Sequence, residues 1–293
     1  MRLEITLCKE VIRNKFNIDD RYNNLRSRIN RHTLILNDEL LEIYEKDAKE
    51  NKYQAQFENW YFSLIGSAKK LRKLNTPVLN PEGQIKEGEE GYLVANLAAI
   101  SKDKVAVGKI ENSISKYYKN TYFIGEDIFN RNKSHTITMG DIGNIWTNKI
   151  LTHFFDIYET PIRLEIGMGD DSALLGKYLS LFYKDSKKIT IKDTYIHKNQ
   201  RNLDNYVLRY IDRYKTKITF RAFWNQHIRD RLIEKFTNYN GYDTSVIIDN
   251  KKLSHHSMIQ SDDYIIDIGY RLRVFGDKDD GKTEQEVINI SKI

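Results

Sequence analysis

His255 and His256 are adjacent, with Lys251 and Lys252 just before them. Asp262 and Asp263 each fall seven positions after one of the two histidines, and Arg271 follows. Imidazole exchanges protons near neutral pH and can attack an electrophile. Lysine and arginine offset the charge of a phosphate. Glu42, Glu89 and Glu90 form a second set, since carboxylate oxygens suit a hard cation such as Mg²⁺. His227-x-Arg229-x4-Glu234 also places a histidine, a cation and a carboxylate in order. Trp224 to Phe236, however, reads as a helix with Ile228, Leu232 and Phe236 on one face, which would set His227 and Glu234 two turns apart. Arg229, Arg231 and Lys235 then read as a basic helix surface. His135 and His153 show no metal-ligand spacing. Tyr117, Tyr118, Tyr206, Tyr210, Tyr214, Tyr239 and Tyr242 lie near lysines and arginines and could stack on bases. The helical spacing of Tyr206, Tyr210 and Tyr214 also fits a half-buried stripe.

Composition narrows the setting. The chain has 293 residues, 40% of them hydrophobic and 12% aromatic, which is too aromatic for a disordered chain. A single cysteine, Cys8, excludes a disulfide framework and fits a reducing compartment, so the expected location is cytoplasmic. No apolar run approaches the roughly 18 residues of a membrane span. The first residues, with Glu4 inside the apolar run, do not read as a secretory leader. The net charge is +6, but 41 acidic residues are interspersed with 47 basic ones. A polyanionic partner is permitted rather than required.

The elements that must position these groups alternate. Leu3 to Leu7 reads as a strand. Cys8 to Arg31 reads as two helices broken near Asn17–Asp20, and His32 to Leu36 as a strand. Asn37 caps the next helix, and a further helix covers Tyr53 to Leu74. Thr76 to Gly91 is a loop. Tyr92–Ile100 is a helix, Lys104–Val107 a strand, Ile110–Tyr118 a helix and Thr121–Ile124 a strand. After a polar stretch at 128–140, Ile142–Tyr158 reads as an apolar helix. Strands are expected at Ile162–Ile166, Lys188–Ile191, Lys217–Phe223, Thr244–Ile248, Met258–Ile259 and Tyr264–Ile268. Helices are expected at Ser172–Tyr183, Asn202–Tyr214 and Gln226–Phe236. Gly276 to Ile293 reads as a charged, weakly structured tail. Strand and helix in alternation imply an α/β fold with helix-covered, largely parallel sheet. Gly167-Met168-Gly169 after a strand mimics a methyltransferase nucleotide loop, but a tight turn accounts for it better.

Three stretches carry a resemblance in the first half. Leu34-Ile35-Leu36-Asn37-Asp38-Glu39-Leu40-Leu41-Glu42 is similar to the early strand and helix of PIN-like domains. Glu89-Glu90-Gly91-Tyr92 through Val105-Ala106-Val107, then Tyr122-Phe123-Ile124-Gly125-Glu126-Asp127, resemble the late part. The resemblance implies a parallel sheet and carboxylates holding Mg²⁺ at its carboxyl edge. Cys8-Lys9-Glu10 and Gly108-Lys109 stand where acids belong. Mg²⁺ is therefore expected only if Glu42, Glu89 and Glu90 serve, and otherwise no cofactor.

In the second half, Ile189-Thr190-Ile191-Lys192-Asp193-Thr194-Tyr195-Ile196 through Gln200 resembles the first strand and turn of a phospholipase D-like domain. The type is the one found at the C-terminus of MIT-domain proteins, and Asp193, Tyr195 and Gln200 match its turn. Ser254-His255-His256-Ser257-Met258-Ile259 and Tyr264–Gly269 resemble its histidine-bearing and following strands. The resemblance implies a mixed sheet. Catalytic members of the wider fold cleave phosphodiesters through histidines, a role that would fall here to His255, His256 and Asp262 with phosphate held by Lys251, Lys252, Arg271 and Arg229, whereas the MIT-associated type is itself a non-catalytic version of the fold. Single-copy members pair as dimers, which implies a homodimer. Ser257 and Met258 replace the family's lysine.

The expected organisation is a PIN-like α/β domain at 1–130, a connecting α/β segment at 131–185, a phospholipase D-like domain at 186–276 and a polar tail at 277–293. The expected function is nucleic-acid handling, as a nuclease-like effector or subunit of a prokaryotic defence or mobile-element system. The competing expectation is a non-catalytic adaptor, built from two degenerate nuclease folds, that joins protein subunits of a larger complex.

Overall fold

A computed structural model describes residues 1–74, 89–134, 136–223, 226–249, 256–269, 271–276 and 280–293, without the side chains of 223 and 226–228. The chain divides into two units, Arg2–Lys133 and Ser134–Ile293, the second also holding Met1. Both are α/β.

The first unit is built on β1 (Glu4–Leu7), β2 (Thr33–Leu36), β3 (Leu71–Lys73), β4 (Val105–Val107) and β5 (Tyr122–Ile124). They form an all-parallel sheet in the order β3-β2-β1-β4-β5. The central strands are short and buried on both faces, as a helix-covered parallel sheet requires. The helices are α1 (Lys9–Lys15), α2 (Asn23–Arg31), α3 (Asp38–Glu50), α4 (Gln54–Ile65), α5 (Glu90–Ile100), α6 (Asn112–Ser115) and α7 (Glu126–Phe129). Asn37 caps α3 as its sequence predicts, accepting the Leu40 amide at 2.9 Å. Helix α5 is apolar all round and buried from Tyr92 to Ala98, and the Thr6 hydroxyl of β1 donates to its Val94 carbonyl at 3.1 Å. The helix expected over Tyr53–Leu74 is shorter. It stops at Ile65, and Leu71–Lys73 crosses back as the edge strand β3.

The second unit carries one mixed sheet of eight strands. These are β6 (Thr136–Thr138), β7 (Ile162–Ile166), β8 (Lys188–Lys192), β9 (Lys217–Phe223), β10 (Asp243–Asp249), β11 (Ser257–Gln260), β12 (Tyr264–Gly269) and β13 (Glu286–Lys292). Their order is β10-β9-β8-β11-β12-β13-β7-β6. Strands β8, β9 and β10 run parallel, as do β6 and β7, and β11, β12 and β13 join the two groups by antiparallel pairing. The helices are α8 (Met139–Gly143), α9 (Ser172–Ser180), α10 (Gln200–Asn202) and α11 (Gln226–Phe236). One sheet face is apolar and packed: Phe220 meets Phe236 of α11 with ring centroids 5.3 Å apart. The other face is polar. Strand β7 shows the alternation, with Ile162, Leu164 and Ile166 buried and Arg163 and Glu165 exposed.

Three expectations fail here. Residues 131–185 are not a connector, since they supply β6, β7 and α9 of the second unit. The apolar segment 142–158 is not one helix. It continues from α8 into a π-type turn at Asn144–Asn148, where Lys149 turns left-handed with φ 53°. The aromatic residues Phe154, Phe155 and Tyr158 still pack on one another. The polar tail is not weakly structured: Glu286–Lys292 is β13, paired with both β12 and β7. Ile288 and Ile290 are its buried side, a period-2 signal carried by two residues in a charged stretch.

Candidate functional site

Register gathers several predicted residues at one edge of the second sheet. Met258 of β11 pairs with Lys192 at the end of β8, and Ser257 pairs with Gly269 at the end of β12. Segments 193–200, 249, 256 and 271–276 therefore leave the sheet at the same edge. This is the carboxyl edge of the parallel strands β8, β9 and β10, where open α/β sheets bind ligands.

Asp193 is the anchor of that edge. It is fully buried. Its carboxylate accepts the amides of Tyr195 (2.6 Å) and Leu272 (3.0 Å), the hydroxyl of Ser257 (2.9 Å) and the side-chain amide of Asn199 (3.3 Å). One carboxylate thus ties the ends of β8, β11 and β12 to a single turn. Gln200 opens α10, and Asn202 two residues on donates to the carbonyls of Leu272 and Gly276 at 2.9 Å each. The resemblance-bearing turn is a structural knot, and its surface residues project from it. The Arg271 guanidinium lies 4.0 Å from the Tyr195 ring centroid, and the Lys198 ammonium 5.5 Å from it.

His197, which sequence reasoning passed over, belongs to this turn. Burial lowers its pKa, Lys198 and Lys235 lower it further, and Asp193 offsets part of that. Its imidazole is therefore held neutral near pH 7. The signal that could have found it is its position four residues after a buried strand-end acid. His256 is 63% exposed, with Nδ1 3.7 Å from Asp267 Oδ1. The Arg221 guanidinium reaches diagonally from β9 to Asp249 of β10 at 2.7 Å.

Other predicted residues lie elsewhere. His255, Lys251 and Lys252 fall outside the described residues. Asp262 sits in the β11–β12 turn at the opposite edge, where its Oδ2 accepts the Lys187 amide at 2.6 Å. The four residues of β11 separate it from His256 by about 13 Å of strand. The carboxylate beside His256 is Asp267, because the hairpin folds β12 back along β11 and sequence spacing cannot show that. Arg229 is exposed on α11, which is helical as its periodicity indicates.

In the first unit, the carboxyl edge gathers Glu10, Glu90 and Glu126, but each is held by the protein. Glu90 accepts the Lys9 amide and pairs with its ammonium at 3.7 Å. Glu10 accepts the Lys109 amide at 3.1 Å, and Glu126 the side-chain amide of Asn14 at 2.8 Å. Burial raises the pKa of both Glu90 and Glu126. The inner carboxylate of α3 is Asp47, not Glu42. Glu42 is exposed, whereas Asp47 is buried against Arg13, Tyr53 and Asn51. Glu89 precedes α5 without a capping bond. The Tyr44 hydroxyl donates to the Leu7 carbonyl, and burial pushes the Cys8 thiol up, so it stays protonated. Among the described residues, no three His, Cys, Asp or Glu side chains are arranged to hold a metal ion. No described helix is long and apolar enough to cross a membrane.

No protein-family model matches the chain, and no curated protein matches it. Among solved structures, an archaeal chromatin protein described as showing a novel mode of DNA binding aligns at 15% identity with a TM-score of 0.28. The alignment covers 53% of each chain, so this chain spans about half the length of that protein. Likeness at that level sets neither fold nor function.

Proposed function

We propose that this chain handles nucleic acid, holding a phosphodiester at the carboxyl edge of the second unit's sheet. The observation that carries the reading is charge left uncompensated on a fixed scaffold. Lys192 and Lys198 have no carboxylate partner among the described residues, while Asp193 and Asp249 are already bonded. Arg271 is set against Tyr195 beside them. A phosphate would find cations there, an aromatic face, and a neutral imidazole at His197 able to share a proton. The parallel sheet and the mixed sheet support the PIN-like and phospholipase D-like resemblances, which remain part of this proposal. The finer reading, a nuclease-like effector or subunit of a prokaryotic defence or mobile-element system, rests on those resemblances.

A second reading, the non-catalytic adaptor, draws support from the first unit. Its strand-end carboxylates are occupied by Lys9, Lys109 and Asn14, and Cys8 and Tyr44 fill the space beside them.

One experiment separates the readings. The full chain is incubated with labelled single- and double-stranded DNA and RNA, in EDTA or in Mg²⁺. Salt-sensitive binding weakened in Lys192→Ala/Lys198→Ala is expected. Cleavage in EDTA that vanishes in His256→Ala adds a histidine site. Cleavage only with Mg²⁺, lost in Glu90→Ala, moves the chemistry to the first unit. Neither binding nor cleavage leaves the adaptor.

A further inference from the structure

At the opposite, amino edge of β8 and β9, the segment after α9 and the segment before β9 enclose a depression of about 600 Å³. Five lysines line it: Lys184, Lys187, Lys188, Lys215 and Lys217. Lys215 pairs with Asp212 at 3.3 Å and Lys217 with Asp243 at 3.7 Å. Lys184, Lys187 and Lys188 have no carboxylate partner among the described residues. The backbone beneath them is fixed. The Thr216 hydroxyl donates to the Ser186 carbonyl at 2.8 Å, the Lys217 amide to the Lys187 carbonyl at 2.9 Å, and the Lys187 amide to Asp262 at 2.6 Å. Asp185 and Asp212 line the depression too, so five lysines stand against two carboxylates and the lining keeps a net positive charge. Tyr214, next in the chain to Lys215, is 91% exposed. An exposed aromatic beside a cationic depression provides a stacking platform for a base.

We infer that this depression binds a chain of linked phosphates through Lys184, Lys187 and Lys188, with the base of an attached nucleoside against Tyr214. The ligand chemistry comes from two sources, a free nucleoside polyphosphate or a single-stranded nucleic acid. The volume lies within the range of pockets that hold molecules of nucleotide size, about 300–1,000 Å³. The site stands on residues separate from the carboxyl edge and does not depend on it.

The test is calorimetric titration of the full chain at about 50 mM salt with three probes. These are inorganic tripolyphosphate, ATP and an oligothymidylate of about 15 nucleotides. Lys184→Ala/Lys187→Ala/Lys188→Ala is expected to weaken tripolyphosphate at least about tenfold, in proportion to the charges removed. Tyr214→Ala is expected to weaken ATP or the oligonucleotide by about fivefold or more and leave tripolyphosphate unchanged. Binding of ATP but not of the strand names a free nucleotide as the source, and competition between strand and tripolyphosphate names nucleic acid. The lysines are exposed, so their variants should keep the wild-type circular dichroism spectrum. Absence of tripolyphosphate binding up to about millimolar, or equal affinity in the triple variant, overturns the inference. Failure of the carboxyl-edge reading shows separately, as strand binding indifferent to Lys192→Ala/Lys198→Ala.

Discussion

The carboxylate of Asp262 accepts the backbone amide of Lys187 at 2.6 Å, across 75 positions of sequence. Its seven-residue spacing from His255 suggested a catalytic acid, but the bond gives it a scaffolding task at the far edge of the sheet. Asp262→Ala should cost about 1 kcal/mol, the usual worth of a hydrogen bond near the surface. Urea denaturation would show it. Tripolyphosphate binding should weaken as Lys187 loses its tether, whereas any His256-dependent cleavage should be unaffected. A loss of cleavage with stability unchanged would restore the catalytic reading.

Asp193 presents the opposite case, because its carboxylate is fully buried and receives four donors. Asp193→Ala leaves the amides of Tyr195 and Leu272 without their acceptor in a dry site. The expected loss is at least about 3 kcal/mol, since each stranded donor costs 1–3 kcal/mol. Asp193→Asn should lose less, because one oxygen still accepts. Ser257→Ala, which removes one donor and strands none, should cost about 1–2 kcal/mol. If all three variants unfolded at the same urea concentration as the wild type, the turn would not be anchored this way.

Acid should weaken the first unit through Asp47. Burial raises its pKa, but hydrogen bonds from Arg13 and Tyr53 outweigh that and hold it below the ordinary value of 3.8. The ionised form is thus favoured by folding. Its stabilisation is complete above about pH 4 and is lost as pH falls through the lower folded pKa. Glu90 acts in the other direction, since burial raises its pKa above 4.5. Its cost appears as pH climbs past that value and stays at neutral pH. Asp47→Asn should therefore flatten the acid limb of a melting-temperature profile. Glu90→Gln, which still offers an oxygen to the Lys9 amide, should raise the melting temperature at neutral pH and not in acid.

Local chemistry was legible in the sequence and long-range pairing was not. The Asn37 cap, the break between α1 and α2, and the helix over Gln226–Phe236 each rest on neighbours within a few residues. Asp193 and Tyr195 could be singled out because the short turn that holds them resembles a phospholipase D-like motif, and a motif within eight residues is local. What Asp193 binds could not, because Ser257 and Leu272 lie 64 and 79 positions away. The pairing of His256 with Asp267 needed the β11–β12 hairpin register. β13 was hidden for the same reason: two buried isoleucines become a strand only once β12 and β7 flank them. The segment 142–158 misled in the other direction. Its apolar content is real, but it reaches burial through turns rather than one helix.

Gly108 explains why the first unit places no acid directly after β4. Its φ is +125°, a region that disfavours any side chain, and a Cβ there would fall 2.5 Å from Cys8 Cβ and 2.6 Å from Cys8 Sγ. Backbone and neighbour both forbid the substitution. Gly108→Ala should cost at least about 2 kcal/mol, combining strain with overpacking. Cys8→Ala should not rescue it, because the nearer clash is with Cβ, which alanine keeps. Gly108→Asp would introduce a strand-end carboxylate beside Glu10 and Glu90, and it should unfold the unit rather than recruit Mg²⁺. Circular dichroism and a Mg²⁺ titration of the same variant decide this. A folded Gly108→Asp chain that binds the ion would show that the edge is a metal site one substitution from function, and that the packing of Cys8 is not what closes it.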